Sequence, residues 1–367
     1  MTHEVFWCKT CLNMSTRPRI EFNKDGICNA CTWAQQKKSI NWVERLSQLQ
    51  KLLENTKQNT SEFDCLVPVS GGKDGSYVAY QLKHKYGLNP LTITIRPPLE
   101  REIGQINLQN FIASGFEHIH VTPNQDIMRK MDKYGFTEMG FPYFGWLTAM
   151  QVTPIVIAKK FGISLIFYGE DGEVEYGGSS ETNQKPFYDT NYMRDIYLEG
   201  GYEAAMQKIS QDKVGQYFYT FPTDSENIRI THWSYFENWD PYRNYILAKE
   251  KCGLTEISEN NSGTFTNYSQ NDQKLYALHC YMMYLKFGFG RATQDAGIEI
   301  RRGNLTRSQA VHLVQLYDHE FPEKYLNDYL EYYQITSAEF FKTLDKFANR
   351  NLLIKEGQYW LPNIKVS

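Results

Sequence analysis

The chain has 367 residues, 41% hydrophobic and 22% charged, a balance that supports a sizeable core and excludes disorder as the dominant state. At ~150 residues per domain, this length suggests two domains with room for a small accessory module. Thirty-nine basic residues against 42 acidic ones leave a net charge of −3, which disfavours a large nucleic-acid footprint. No apolar run reaches the ~20 residues of a spanning helix; the best, Ile155–Ala158, is cut short by Lys159 and Lys160. Met1-Thr2-His3-Glu4 lacks the basic-then-apolar layout of a secretory signal, so a cytoplasmic protein without membrane insertion is expected. Aromatic residues reach 15%, and composition leaves open whether they fill a bulky core or line a pocket or partner surface.

The first signal along the chain is in its cysteines. Cys8-Lys-Thr-Cys11, sixteen residues, then Cys28-Asn-Ala-Cys31 is C-x2-C-x16-C-x2-C, the spacing of a structural Zn2+ site. Two such knuckles aim four thiolates at one point and leave no open position, which suits structure rather than catalysis. Two disulfides or a redox pair are the alternatives. A cytoplasmic location disfavours the first, and the second has no use for a second knuckle. Arg19–Ile27 between them reads as a strand, a turn at Asp25-Gly26 and a second strand, so residues 1–38 are expected to form a zinc ribbon. A segment this short needs the metal to fold, and it either braces the main domain or docks a partner.

Residues 39–58 carry a helical apolar period, and Phe63–Val69 is a short strand-length run. The run leads into Ser70-Gly-Gly-Lys-Asp-Gly-Ser76 and then a helix, Tyr77–Tyr86, ending at Gly87. Strand, glycine-rich turn and helix N-terminus together make an anion site, because free N–H groups and the helix dipole converge there. Gly71 and Gly72 permit close backbone approach, Ser70 and Ser76 offer hydroxyls, Lys73 brings charge, Asp74 is placed to hold Mg2+ against a phosphate, and Gly75 completes the loop. The loop lacks the G-x-x-x-x-G-K-[ST] pattern. It resembles instead the SGGxDS signature of the PP-loop ATP pyrophosphatases, with Gly75 inserted before the serine. That resemblance implies that ATP is split between its α and β phosphates, leaving an adenylated substrate oxygen and pyrophosphate.

Strands at 90–96, 117–121 and 163–168 alternate with helices at 100–114, 124–134 and 145–161, which predicts a doubly wound parallel sheet with helices on both faces over residues 39–176. Ligands in such sheets sit beyond the carboxyl ends of the strands, where the loop, Ile95-Arg96 and Gly169–Glu175 should converge. The superfamily resemblance implies that backbone near Ile95 holds adenine and that Gly169 lies near the ribose. Glu170, Asp171, Glu173 and Glu175 either form a solvated loop or place Glu170 or Asp171 as a Mg2+ ligand; Glu170, closest to the strand, is the better candidate.

The remainder, 177–367, is Tyr-rich and mainly helical, with segments expected near 240–252, 271–287, 306–319, 322–333 and 336–349 and a terminal hairpin at 352–361. The irregular stretch 177–235 is expected to cover the site as an insertion or lid. Gly288-Phe-Gly-Arg-Ala-Thr-Gln-Asp295 and Arg301-Arg302 suit a polar, anionic ligand, or else form a helix-capping loop with solvated arginines. Arg291, Asp295 and Arg302 are the candidate substrate residues, and His279 and His312 read as ordinary helix residues.

Amidating and thiolating chemistry both use such a loop. Only Cys65, Cys252 and Cys280 remain beyond the zinc set, widely spaced, which disfavours thiolation. Position 2 is Thr2 and no remaining cysteine lies in a G-x-C-x-G setting, so the chain lacks a glutaminase and ammonia must arrive from elsewhere. The cysteine quartet, the loop, Tyr168-Gly-Glu-Asp-Gly-Glu173, Phe289–Ala296, Ile300-Arg-Arg-Gly303 and Arg307 together resemble the N-acetyl sugar amidotransferase family over essentially the full chain. The resemblance implies an amidotransferase subunit converting a sugar acetamido group to acetamidino in bacterial surface-polysaccharide or nonulosonic-acid biosynthesis. It further implies catalytic Lys73, Asp74 and Glu170, a nucleotide-linked or carboxylated N-acetyl sugar as substrate, and ammonia from a separate glutaminase subunit. A tRNA thiolation enzyme and a non-enzymatic zinc-ribbon scaffold with a degenerate nucleotide site are the alternatives.

Overall fold

The computed structural model describes residues 5–57, 61–209, 215–364 and 366; the stretch Met1–Glu4 and residue 58, at the end of the first expected helix, lie outside them. The cysteine module ends in α1 (Asn29–Gln36); then come α2 (Trp42–Lys57), β1 (Cys65–Pro68), α3 (Lys73–Tyr80), β2 (Pro90–Ile95), α4 (Glu102–Ala113), β3 (His118–Val121), α5 (Gln125–Tyr134), α6 (Phe144–Phe161) and β4 (Leu165–Tyr168). Short helices α7 (Gly172–Tyr176) and α8 (Thr190–Tyr192) and then α9 (Tyr202–Ile209) precede β5 (Arg229–His232). Helices α10 (Pro241–Cys252), α11 (Leu275–Phe287), α12 (Arg291–Arg302), α13 (Arg307–Tyr317), α14 (Leu326–Tyr333) and α15 (Ser337–Phe347) lead to a hairpin of β6 (Leu353–Glu356) and β7 (Tyr359–Pro362).

The large sheet has the order β3-β2-β1-β4-β5, and every neighbouring pair is parallel. Period-2 alternation divides its side chains between two cores. Leu66, Ile93, Ile166 and Ile230 face α5 and α6, whereas Cys65, Val67, Leu165 and Phe167 face α2 and α3. Each such burial is worth roughly 1.5–3 kcal/mol. Strands β1, β2 and β3 step one way across the sheet and β4 and β5 step the other, so the order reverses between β1 and β4. That reversal opens a crevice at their carboxyl ends, between Val69 and Gly169.

Two expectations are corrected. The stretch 177–235 is not simply a lid: it delivers β5 to the sheet edge and packs Tyr202, Tyr219 and Phe221 into the core. The sheet therefore extends past the expected boundary at 176. In the cysteine module, the two strands around Asp25-Gly26 shrink to a single bridge, Phe22 to Cys28, because Asn23 accepts from the N–H groups of Asp25 and Ile27 and closes the turn at once.

Much of the aromatic excess is core or packs against it. Tyr281, Tyr284, Tyr329, Tyr333 and Phe340 join the sheet's first core from α11, α14 and α15. Their phenols find backbone partners: Tyr333 donates to the Pro142 carbonyl (2.6 Å), Tyr329 to Lys274 (3.0 Å) and Tyr284 to Trp360 (3.2 Å). Helices α11, α14 and α15 thus share one core with the sheet, while α12 and α13 pack a smaller, separate one. No helix among the described residues is long and apolar enough to cross a membrane.

Candidate functional site

The four module cysteines are buried, and their sulfur atoms all lie within 4.8 Å of one another. Cys11 and Cys28 approach to 3.6 Å and Cys8 and Cys31 to 3.9 Å. A tetrahedral zinc with Zn–S of about 2.3 Å has an S–S edge of about 3.8 Å, so the quartet fits zinc, whereas a disulfide needs about 2.05 Å. The second pair differs from expectation in one respect: Cys28 caps α1 and Cys31 lies in its first turn, so a helix end replaces the second knuckle.

The glycine-rich loop leaves β1 and enters α3 as expected. Gly71 has φ +77°, and a Cβ there would fall 2.4 Å from the Leu108 nitrogen, so α4 admits only glycine. A Cβ on Gly75 would fall 2.7 Å from the Pro68 carbonyl oxygen, which lets α3 lie close on β1. Lys73 and Asp74 pair at 2.5 Å. The other Asp74 oxygen and the fully buried Ser76 hydroxyl have no partner. The N-cap residue, Gly72, has no side chain to cap α3, and no other side chain among the described residues does so. An uncapped helix end with orphaned buried polar atoms is an arrangement that an anion, with its counter-ion, would complete. The loop forms one wall of a cleft of about 530 Å³, and Tyr268–Asp272 form the other.

Across the strand reversal, Gly169 abuts Asp74: a Cβ on the glycine would sit 3.0 Å from that of the aspartate. Glu170 accepts from the Tyr176 hydroxyl at 3.1 Å. Burial pushes its pKa up to about 7; the Lys73 charge opposes this and the Asp74 and Glu175 charges add to it. Such a carboxyl changes charge near neutrality. Asp171 is spoken for, accepting from Thr182 and the Val174 N–H while capping α7. Lys73, Asp74, Gly169 and Glu170 therefore meet at one place. Ile95 ends β2 with its side chain in the core, and its carbonyl accepts from the Trp146 indole at 3.3 Å.

The segment after Glu170 is gripped by the cysteine module. Asn13 donates to the Tyr176 carbonyl (3.0 Å) and Asn29 to that of Gly178 (2.7 Å). Trp33 and Lys37 both hold Glu175, at 2.9 and 2.7 Å. Arg301 of α12 donates to the Glu175 carbonyl (3.0 Å) and Arg307 of α13 to that of Cys8 (3.3 Å). These arginines thus have a positioning part.

The candidate substrate residues do not converge. Arg291 and Asp295 are buried and pair with each other at 2.8 Å. Asp295 also accepts from Thr264 (2.6 Å) and Thr266 (3.1 Å), and Arg291 donates to Tyr276. Arg302 lies eleven residues further along α12, about 16 Å by helical rise, bound to Glu299 (2.9 Å) and Asp240 (3.1 Å). Asp318 fills the start of α12, accepting from the N–H groups of Gly290 and Thr293, both at 2.9 Å.

Sequence reasoning missed Asp318, the Tyr268–Asp272 wall and Trp239. The Trp239 indole abuts Gly169 with its N–H buried and unpartnered. None of these carries a local signal, since each acts across a long sequence separation. The spare cysteines are buried: burial raises the Cys65 thiol strongly, Cys252 to about 11 and Cys280 to about 12, which removes the thiolate that sulfur transfer needs.

Residues 262–365 match a family described as LPS biosynthesis protein WbpG-like, C-terminal domain. The match begins before the Tyr268–Asp272 wall and runs through α11–α15, supporting a role in lipopolysaccharide or polysaccharide biosynthesis. The chain is also similar to the uncharacterized protein MJ1599 of Methanocaldococcus jannaschii, 29% identical over 89 residues. That similarity covers 24% of this chain and 32% of the relative, about a third of the latter's length.

Proposed function

We propose, from a lipopolysaccharide-biosynthesis match on the C-terminal helices and an open anion cleft on the sheet, that the chain is the synthetase subunit of an ATP-dependent sugar amidotransferase. The single observation that carries this reading is the uncapped α3 terminus, with orphaned Asp74 and Ser76 atoms beside Lys73 and Glu170. Ser70, Ser76 and the N–H groups of Gly71–Gly75 would receive the β and γ phosphates of ATP. Lys73 would balance their charge. Asp74 is the carboxyl placed for Mg2+, which leaves Glu170 free to titrate. Among the described residues no three acids lie close enough to hold it alone, so phosphate oxygens would complete its shell.

In the proposed reaction the acetamido oxygen attacks the α phosphorus and pyrophosphate leaves. Ammonia then adds to the activated carbon, and AMP departs carrying the former acetamido oxygen. Activation is needed because an amide carbonyl is a poor electrophile toward ammonia. Glu170, titrating near neutrality, is suited to take the proton that ammonia sheds. With no glutaminase motif in the sequence, a separate subunit supplies the ammonia. The product belongs to O-antigen, other surface polysaccharide or nonulosonic acid synthesis.

The test is direct. Protein given ATP, ammonium and a nucleotide-linked N-acetyl sugar should turn over to AMP and pyrophosphate, with sustained turnover only when all three are present. Release of ADP, or turnover indifferent to ammonium, would overturn the proposal.

A further inference from the structure

A second cavity, about 960 Å³ out to its mouth, lies between the cysteine module, the corner at Gly140 and α11. Its lining sets two cations, Arg17 and Lys286, and the imidazole of His279 beside the aromatic rings of Phe141 and Phe289. The Arg17 guanidinium is buried, and its Nε and Nη1 have no hydrogen-bond partner. Its nearest carboxylate is already committed. Glu173 accepts from Arg19 at 3.0 and 3.1 Å and from the Ser179 N–H at 2.7 Å, so it reaches Arg17 through space alone. Arg19, by contrast, is held by Glu173 and Glu199 together.

The other polar groups are also incompletely used. Lys286 donates to the Met139 carbonyl at 2.9 Å, which engages one of the three protons an ammonium carries. The Nδ1 of His279 is buried without a partner, its ring set 5.0 Å from that of Phe141 and 4.6 Å from that of Tyr143. Burial keeps the imidazole neutral, with its pKa held down to about 3. Arg17 lies over the Phe289 ring at 5.5 Å, which leaves its in-plane N–H groups for an acceptor. Buried guanidinium N–H groups without acceptors are rare because they have lost water and gained nothing, and a planar two-oxygen anion is their natural complement.

We propose that this cavity binds an organic anion, its carboxylate or phosphate against Arg17 and Lys286 and its ring-sized body against Phe141 and Phe289. His279 is left to bond a hydroxyl or amide of that body. The cavity's wall includes Glu173 of α7, three residues beyond Glu170. Choosing a sugar as the body rests on the proposed function; the anion site does not.

The experiment titrates the full-length protein by calorimetry, without ATP, using N-acetylglucosamine 1-phosphate, N-acetylglucosaminuronate and neutral N-acetylglucosamine. At least one anionic sugar should bind about tenfold or more tighter than the neutral one, as a charge-assisted contact requires. Which anion binds distinguishes phosphate from carboxylate. Arg17→Met and Lys286→Met should each weaken that binding about tenfold, whereas Lys73→Met should leave it unchanged. Lys286, only partly buried, carries the test if Arg17→Met does not fold. Equal binding of the three sugars, or anion binding that Lys73→Met abolishes and Lys286→Met spares, would overturn the proposal. Pocket failure with AMP release intact leaves the proposed function standing; pocket binding without AMP release does the reverse.

Discussion

Ser70-Gly-Gly-Lys introduces α3 and Gly288-Phe-Gly-Arg introduces α12, so in both places a glycine-rich turn feeds the start of a helix. Both read from sequence as stations for an anionic ligand. At α12 the protein supplies the anion itself: Asp318 accepts from Gly290, Thr293 and the Thr293 hydroxyl, and burial pushes its pKa up to about 6. The glycine at 290 is there for close contact, since a Cβ would meet the Asp318 carbonyl oxygen at 2.8 Å. At α3 no such carboxylate arrives among the described residues, and Asp74 and Ser76 keep unpaired atoms. What separates a capped helix start from an open one is a residue far away in sequence, and here that residue is an aspartate 25 positions beyond Thr293.

If the two starts differ in this way, substitutions should separate activity from stability. The largest effect is expected for Lys73→Met, which should lower AMP formation by about 100-fold or more, the scale of losing one preorganised charge-stabilising group. Its melting temperature should stay near that of the unaltered protein, and a large fall in melting temperature would blur the contrast. Asp318→Ala should do the opposite. It strips a buried carboxylate from two N–H groups and a hydroxyl, costing about 2–4 kcal/mol in denaturant unfolding. Turnover per folded molecule should survive.

The cysteine module sharpens the comparison further, because it holds α7 beside the open start rather than the filled one. Cys11→Ser, or a chelator that strips the zinc the quartet fits, should loosen the grip of Asn13, Asn29 and Trp33 on residues 175–178. Proteolysis is then expected to cut first near α7, with activity lost before the global fold; simultaneous loss of both would place the metal in general stability only. A subtler outcome concerns Glu170. With its pKa near 7 it is protonated below neutrality and charged above, so AMP formation should rise with pH through about 7. In Glu170→Gln that limb should vanish from the kcat/KM profile. The smallest effect is expected for Arg302→Ala, whose partly exposed pairs with Glu299 and Asp240 are worth about 0.5 kcal/mol and touch no site.

Local pattern was enough for much of the framework. Phe63–Val69 followed by two glycines and a helical period can hardly be anything but strand, turn and helix, and strands β2, β3 and β4 are visible by the same reasoning. The fifth strand was not, because Arg229-Ile-Thr-His232 is four residues with one aliphatic side chain, and only pairing with β4 makes it a strand. The cysteine quartet was legible from spacing alone, but the helical setting of Cys28 and Cys31 was not. Arg291 and Asp295 misled for a related reason: at i, i+4 on a buried face they bond each other, and nothing local to α12 reports that Thr264 and Thr266 will take what is left. Sequence reveals which groups can bind; burial and long-range partners decide which remain free to.

The most direct measurement follows one oxygen. An N-acetyl sugar substrate labelled with 18O in its acetamido carbonyl should, on turnover with ATP and ammonium, deliver the label to the phosphate of AMP, because that oxygen attacks the α phosphorus and leaves with it. Label appearing in inorganic phosphate or water, or staying in the sugar while AMP forms, would contradict activation of the acetamido group at the α3 loop.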